Sequence, residues 1–135
     1  MSCPGSALQG AIYDALLADT DLAALVGAAI YDAVPSGELP ETFVVLGDEI
    51  ITDASAVLCV AARHDFSISV ISTALGYGEA KAVSAAITNA LVTASLTLDE
   101  GRLVYLNFLR ARAARVGTRK TRRIDITFRA MIETV

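Results

Sequence analysis

The 135-residue sequence is poor in the side chains from which enzyme and metal sites are built. It contains one histidine, His64, and two cysteines, Cys3 and Cys59, that form no CxxC pair. The GxSxG motif of serine hydrolases and the HExxH motif of zinc peptidases are both absent. His64 is followed by Asp65, but neighbouring residues of a strand point to opposite faces, so Asp65 cannot orient the imidazole without a bulge. We therefore expect a surface or strand-end histidine, no catalytic residue, and neither a metal nor a cofactor.

Positive charge is missing from residues 1–62, so the N-terminal region lacks the basic segment of a signal peptide. The longest uncharged run, residues 82–98, is too short to span a membrane and carries several serine and threonine residues. Because Cys3 lies in a terminus that we expect to be frayed, we expect no disulfide and a reducing compartment. With 54% hydrophobic and 19% charged residues, the composition excludes general disorder. We expect one domain over residues 1–135, with residues 1–5 as a flexible arm.

Charge is divided unevenly between the two halves of the chain. Residues 1–62 hold nine acids and no base, whereas residues 63–135 hold six acids and eleven bases, so the halves carry −9 and +5. Opposite charges allow unlike surfaces of neighbouring copies to bind each other. Seven bases without an intervening acid fall between residues 110 and 123: Arg110, Arg112, Arg115, Arg119, Lys120, Arg122 and Arg123.

This basic cluster has three interpretations: contact with an acidic protein surface, a solvated face, and binding to DNA phosphates. It contains no aromatic residue that would stack on bases, and the chain as a whole is acidic, with a net charge of −4. We therefore prefer contact with a neighbouring copy or a partner protein. The cluster is expected to be exposed at a tip that reaches beyond the core. Asp48 and Glu49 are the acidic residues that we assign to the same kind of contact.

Periodicity in the hydrophobic residues predicts both helices and strands. Helical spacing predicts a helix from Ser6, a second over Leu22–Val26, and a third after Gly78 that ends near Val92. We expect an α+β fold: a mixed, mainly antiparallel sheet of about four strands packed against two to three helices, with a long C-terminal β-hairpin. Alternation predicts strands over residues 42–46, 61–72, 103–116 and 124–133, whereas residues 49–57 are ambiguous between a loop and a strand.

The alternation also predicts which side chains are buried. In the strand over residues 103–116, Arg110 and Arg112 continue the alternation of Phe108, so we place them on the same face. The residues expected to pack together in the core are Phe66, Ile68, Val70, Val104, Leu106, Phe108, Ile124, Ile126 and Phe128 from the strands, and Ala80, Val83, Ile87 and Leu91 from the third helix.

Several segments occur in an order and spacing that resemble a known family. The chain opens with ALQGAIYDAL (residues 7–16), followed by DLAALVG (21–27), IYDAVP (30–35), Pro40 and FVVLGD (43–48). Downstream, the strand over residues 66–72 leads into GEAK (78–81), although Ile71 stands where the family commonly has tryptophan. The closing strands and their arginine-rich turn also fit. Over nearly its full length, the chain resembles the small tail-completion or tail-terminator proteins of long-tailed phages and phage-derived gene transfer agents.

The resemblance implies a non-enzymatic structural subunit of a homo-hexameric ring. Such a ring ends the tail tube, so the implied partners are other copies of the chain, the tail tube protein and a head-side connector or stopper protein. DNA only passes through the lumen, no membrane is involved, and assembly takes place in the bacterial cytoplasm. Two alternatives remain open: another ring protein of the neck or head–tail connector, and a small α+β enzyme or ligand-binding domain that uses His64.

Overall fold

The computed structural model describes residues 5–56, 60–93, 96–98, 101–117 and 121–134. The flexible arm predicted for residues 1–5 lies outside this part of the chain, except for Gly5, where the first helix begins. Both cysteines and two bases of the predicted cluster, Arg119 and Lys120, also lie outside it.

In the described part of the chain, three helices form where helical spacing predicts them: α1 (Gly5–Ala18), α2 (Thr20–Val26) and α3 (Gly78–Thr93). Helix α2 begins after Asp19, whose carboxylate accepts a hydrogen bond from the backbone N–H of Leu22 at 2.9 Å. This N-cap satisfies one of the backbone donors that a helix leaves without a partner in its first turn. None of the helices described is long and apolar enough to cross a membrane.

The described residues also contain five strands: β1 (Ile30–Tyr31), β2 (Thr42–Asp53), β3 (Val60–Ser72), β4 (Arg102–Val116) and β5 (Thr121–Thr134). They form one sheet in the order β1-β2-β3-β5-β4. Strand β1 runs parallel to β2, and every other neighbouring pair is antiparallel. The predicted α+β class and the C-terminal hairpin are confirmed, with one short strand in addition.

Strand β2 does not end at Gly47, where the sequence predicts its end, but continues to Asp53. Its pairing with β3 shifts between Leu46 and Glu49, which marks a β-bulge around Gly47. A Cβ atom on Gly47 would lie 2.7 Å from Ser67 Oγ and 3.0 Å from the Ser67 carbonyl oxygen. The bulge therefore requires glycine, because a side chain at this position would push the two strands apart.

Most of the predicted core is confirmed. Leu106 is partly buried against it, but the prediction is wrong for Val104 and Phe108, whose exposed fractions are 42% and 44%. The predicted residues that the sheet and α3 bury together are Phe66, Ile68, Val70, Ile124, Ile126, Phe128, Ala80, Val83, Ile87 and Leu91.

An irregularity in β4 explains the exposure of Val104, and the position of β4 at the edge of the sheet explains that of Phe108. The pairing of β4 with β5 skips Val104 and shifts again between Phe108 and Arg110. Such a shift moves the residues that follow to the opposite face, because side chains alternate along a strand. Phe108 still lies opposite Phe128, and the two ring centroids are 6.1 Å apart in an edge-on contact. Its own strand, however, is an edge of the sheet, and Phe108 remains partly exposed there.

The second shift places Arg110 and Arg112 on the face of the sheet that points away from the helices. Arg110 lies opposite Thr127, which alternates with the buried Phe128. The prediction that both arginines continue the core face of β4 is therefore wrong, because Leu109 adds one residue to the strand at the bulge. We call the face that points away from the helices the open face. Its members on β3 and β5 include Asp65, Ser67, Ser69, Asp125, Thr127 and Arg129.

Candidate interaction surfaces

The structure divides the predicted basic cluster between the two faces of the C-terminal hairpin. Arg115 and Arg122 lie opposite each other on the side of the helices. Arg110, Arg112 and Arg123 lie on the open face. Because strands alternate, bases that follow one another closely along the chain do not form one continuous surface.

Arg122 is not an exposed charge at the tip, as the sequence predicts, but is 92% buried, with a relative exposure of 8%. One of its guanidinium nitrogens, Nη1, donates a hydrogen bond to the carbonyl oxygen of Ala74 at 3.1 Å. The guanidinium also lies 5.2 Å from the ring centroid of Tyr77, in cation–π geometry. Since Ala74 and Tyr77 belong to the segment between β3 and α3, Arg122 fastens that segment to β5.

Arg123 belongs to a small polar network on the open face. Its Nε donates to Asp125 Oδ1 at 2.8 Å, and its Nη2 donates to Ser69 Oγ at 3.2 Å. Ser69 in turn donates to the same Asp125 oxygen at 2.6 Å. Burial by itself raises the pKa of Asp125, but the hydrogen bonds from Ser69 and Arg123 outweigh it and lower the pKa. The positive charge of Arg123 is thus largely compensated by Asp125 of the same chain.

A second ion pair, Asp65–Arg129, lies on the same face. The two residues face each other across β3 and β5, with Arg129 Nε 2.8 Å from Oδ1 and Nη2 3.1 Å from Oδ2 of Asp65. This two-point geometry gives a stronger pair than a single contact. The hydrogen bond from Arg129 holds the pKa of Asp65 below its ordinary value. Asp65 therefore pairs with Arg129 and does not orient His64.

The Asp65–Arg129 pair predicts how stability depends on pH. The folded pKa of Asp65 is below its ordinary value of 3.8, so the unfolded chain binds more protons in acid. The stabilisation is present above pH 3.8 and is lost as the pH falls through the lower folded pKa. We expect the free energy of unfolding, measured by urea denaturation, to decrease less on acidification in Asp65→Asn than in the wild type. Equal decreases in the wild type, in Asp65→Asn and in the exposed control Asp14→Asn would contradict this assignment.

Three arginines of the predicted cluster have no such partner. Among the described residues, Arg110, Arg112 and Arg115 form no ion pair and no side-chain hydrogen bond. All three lie on β4, the edge strand, and all three are exposed. Arg112 lies opposite Asp125 and its charge helps to lower the pKa of that carboxyl, whereas Arg110 and Arg115 leave uncompensated positive charge along one edge of the sheet.

Two residues that the sequence assigned to an interface come together in a groove on the open face. Asp48, from the bulge of β2, and Arg110, from the bulge of β4, both line it. The groove also contains Ile50 and Leu109, which are 68% and 42% exposed. Sequence reasoning missed these two apolar residues, because residues 49–57 were ambiguous between a loop and a strand and the alternation within β4 does not reveal the extra residue at Leu109.

Glu49 has a different role from Asp48. It lies on the helix side of β2, where its Oε2 is 3.1 Å from Nδ1 of His64. His64 is fully buried, so the predicted surface position is wrong. The reason is that residue 64 has the same alternation as Phe66 and Ile68, on a strand with neighbours on both sides. The sequence does contain this information, because residues 64, 66 and 68 are two positions apart and therefore lie on the same face of the strand.

Nothing around His64 completes a catalytic arrangement in the described residues. Its second ring nitrogen, Nε2, is buried without a hydrogen-bond partner. The described part of the chain contains no group of three or more His, Cys, Asp or Glu side chains able to hold a metal ion. The described geometry therefore favours a role in binding other proteins over a role in catalysis.

Comparison with known proteins places this geometry in a biological context. The family model described as "Tail completion protein gp17" matches residues 10–133. Among solved structures, a chain from the virion of a native gene transfer agent particle is 53% identical to this one, with a TM-score of 0.93. The match covers 98% of this chain and 99% of that chain. No curated protein matches the sequence.

Proposed function

Because this chain belongs to the family of tail completion protein gp17, we propose that it forms the ring that ends the tail tube of a phage-like particle and joins it to the head-side connector. The observation that carries the proposal is the similarity, over nearly the full length, to a chain of a gene transfer agent virion. Because tail completion proteins are structural components, we assign a structural role to the chain. Its immediate partners are then the tail tube protein, the connector or stopper protein, and other copies of itself.

A closed ring needs two unlike surfaces on each copy, because every copy contacts one neighbour with each. The charge distribution supplies candidates for such surfaces. Arg110 and Arg115 of β4 are exposed and have no ion pair among the described residues, whereas residues 1–62 contain nine acids and no base. This asymmetry supports ring closure through contacts between unlike faces. Six copies per ring and assembly in the bacterial cytoplasm are further parts of the proposal.

DNA has to pass through such a ring without being held. The chain is acidic, with a net charge of −4, which opposes strong binding to phosphates. Two arginines of the open face, Arg123 and Arg129, are paired with Asp125 and Asp65. The pairing makes these two arginines less available to phosphates, although Arg110 and Arg112 of the same face remain exposed.

We assign no reaction to the chain. His64, the sole histidine, is buried on the helix side of the sheet with Glu49 as its partner, and the surrounding side chains are those of the core. The contact with Glu49 joins β3 to β2, and the imidazole itself is not exposed at the surface.

Removal of the chain from a particle-producing cell tests the proposed function. We expect tails that are overlong or not joined to heads, visible by negative-stain electron microscopy, and rescue by the wild-type chain. The variant His64→Gln is expected to rescue to a similar level, because the proposed role does not depend on the chemistry of the imidazole. Tails of normal length joined to heads in the absence of the chain would contradict the proposal. Failure of a folded His64→Gln chain to rescue would restore the enzyme or ligand-binding alternative.

A further inference from the structure

The sheet has two edges that lack a neighbouring strand in the described residues. Strand β4 pairs only with β5. Strand β2 is covered by β1 only at Val44 and Val45, so its residues 46–53 pair with β3 alone. Each edge therefore presents backbone N–H and C=O groups that a further strand can bind.

The two edges carry opposite charge. Strand β4 contains Arg102, Arg110, Arg112 and Arg115 and no acid, although Arg102 is paired with Glu133 of β5. The uncovered part of β2 contains Asp48, Glu49 and Asp53 and no base. Side chains of opposite charge on adjacent strands stabilise their pairing.

Both edges also expose apolar side chains. Ile50 and Ile51 on β2 are 68% and 42% exposed, and Leu109 and Val116 on β4 are 42% and 45% exposed. Long edges with exposed apolar residues promote association between chains, and monomeric proteins usually block them. The uncovered edges here fit a chain whose edges are occupied in an assembly.

The direction of the strands allows the two edges to join. Four antiparallel strands in the order β2-β3-β5-β4 leave β2 and β4 running in opposite directions. In a ring whose axis lies roughly along the strands, β4 of one copy therefore meets β2 of the next in antiparallel orientation. The segments Arg110–Val116 and Glu49–Asp53 contain no register shift, so they are regular enough to form a ladder.

From these observations we infer that neighbouring copies join edge to edge, with the basic edge of β4 in one copy paired to the acidic edge of β2 in the next. The inference rests on the proposed ring and identifies the contact between neighbouring copies in that ring. The occupant of each edge is a second copy of this chain. The sheet then continues from one subunit to the next.

A charge exchange between the two edges tests this contact. One variant, Arg110→Glu with Arg115→Glu, changes the charge of residues 110–116 on β4 from +3 to −1; the other, Asp48→Lys with Asp53→Lys, changes that of residues 46–53 on β2 from −3 to +1. Arg110, Arg115 and Asp48 have no ion pair in the described residues, and Asp53 bonds only with exposed Ser55, so each variant is expected to fold. Lys81→Glu and Asp14→Lys are the controls, since they reverse exposed charges on helices α3 and α1; Lys81 also lies 5.7 Å from the ring centroid of Tyr77, so its variant loses that contact as well.

In producing cells that lack the native chain, neither edge variant alone is expected to give joined particles. Expression of both variants together is expected to restore them, because each contact then joins an acidic edge to a basic one. Native mass spectrometry of the purified proteins provides a second measurement. Each variant alone should have the mass of a monomer, close to 14.1 kDa, and the mixture should form a ring with equal amounts of both chains. The two controls should behave as the wild type.

Several outcomes would overturn the inference. Normal particles from either edge variant alone would show that the edges do not join copies, while the proposed function, tested by removal of the chain, would still stand. Folded variants that fail together as well as separately would exclude pairing by charge between the edges. If an edge variant alone forms rings of normal mass that do not join tubes, the β4 edge binds the tube protein and not a neighbouring copy. If the wild type is a monomer in solution, the result in cells decides between these outcomes.

Discussion

Replacement of Phe128 by alanine is expected to lower the free energy of unfolding by about 3–5 kcal/mol. Phe128 is fully buried in the middle of β5, between β3 and β4. Its ring stacks on Phe66 with centroids 5.5 Å apart and contacts Phe108 edge-on. Truncation removes apolar contacts on both sides and leaves a cavity that a central strand cannot close by moving. Equilibrium urea denaturation of the purified chain measures the loss.

The variant Phe108→Ala is the matched control. Phe108 is the edge partner of the same contact but is 44% exposed, so less of its surface leaves water on folding. We expect its loss to be less than half of that for Phe128→Ala. Equal losses, or a greater loss for Phe108→Ala, would show that the core is centred on β4 and that the assigned register is wrong.

Replacement of Arg122 by alanine is expected to cost about 2 kcal/mol, because it removes a charged hydrogen bond and leaves the buried carbonyl of Ala74 without that donor. The lost cation–π contact with Tyr77 adds to the effect. The segment between β3 and α3 should also become easier to open, which faster amide hydrogen exchange in residues 74–77 would report.

Arg123→Ala provides the comparison for Arg122→Ala. Its side chain is 45% exposed, and its ion pair with Asp125 is at the surface, so we expect a loss of less than about 1 kcal/mol. A similar loss for the two variants would contradict the structural role of Arg122. A joint reversal of both arginines to glutamate disturbs the fold as well as the surface. Tests of the interface therefore use Arg110 and Arg115.

The prediction of the fold from the sequence was most successful where the strands are regular. In β3 and β5, side chains alternate without interruption from Phe66 to Val70 and from Ile124 to Ile132, and the buried set follows directly. The helices were equally clear, because Asp19 and Gly27 mark the ends of α2. In these elements, local pattern and tertiary structure agree.

The predictions failed where a single extra residue changes the face of a strand. The bulges in β4 move Arg110 and Arg112 to the open face, and the bulge at Gly47 allows β2 to continue. A bulge depends on the partner strand as much as on its own residues, so alternation within one strand does not reveal it. In β2, Gly47 is the only local sign, and a glycine also occurs where strands end.

The candidate site could be predicted only in part. Charge asymmetry and the family resemblance indicate an interaction surface, but the sequence does not tell which bases already have a partner. Arg122 is held by a segment nearly fifty residues away in the chain, and Arg123 by Asp125 and Ser69. The contacts of Arg122 with Ala74 and of Arg123 with Ser69 are long-range, and only the folded chain shows which charges they leave for a partner.

The most direct test of the central claim is the position and symmetry of this chain in the intact particle, determined by cryo-electron microscopy. We expect a closed hexameric ring between the last ring of the tail tube and the head-side connector, with DNA passing through its lumen. Adjacent copies should meet through unlike faces. Density for the chain at the tail tip, inside the head or along the tube, or a position in the neck other than the end of the tube, would contradict the proposed role.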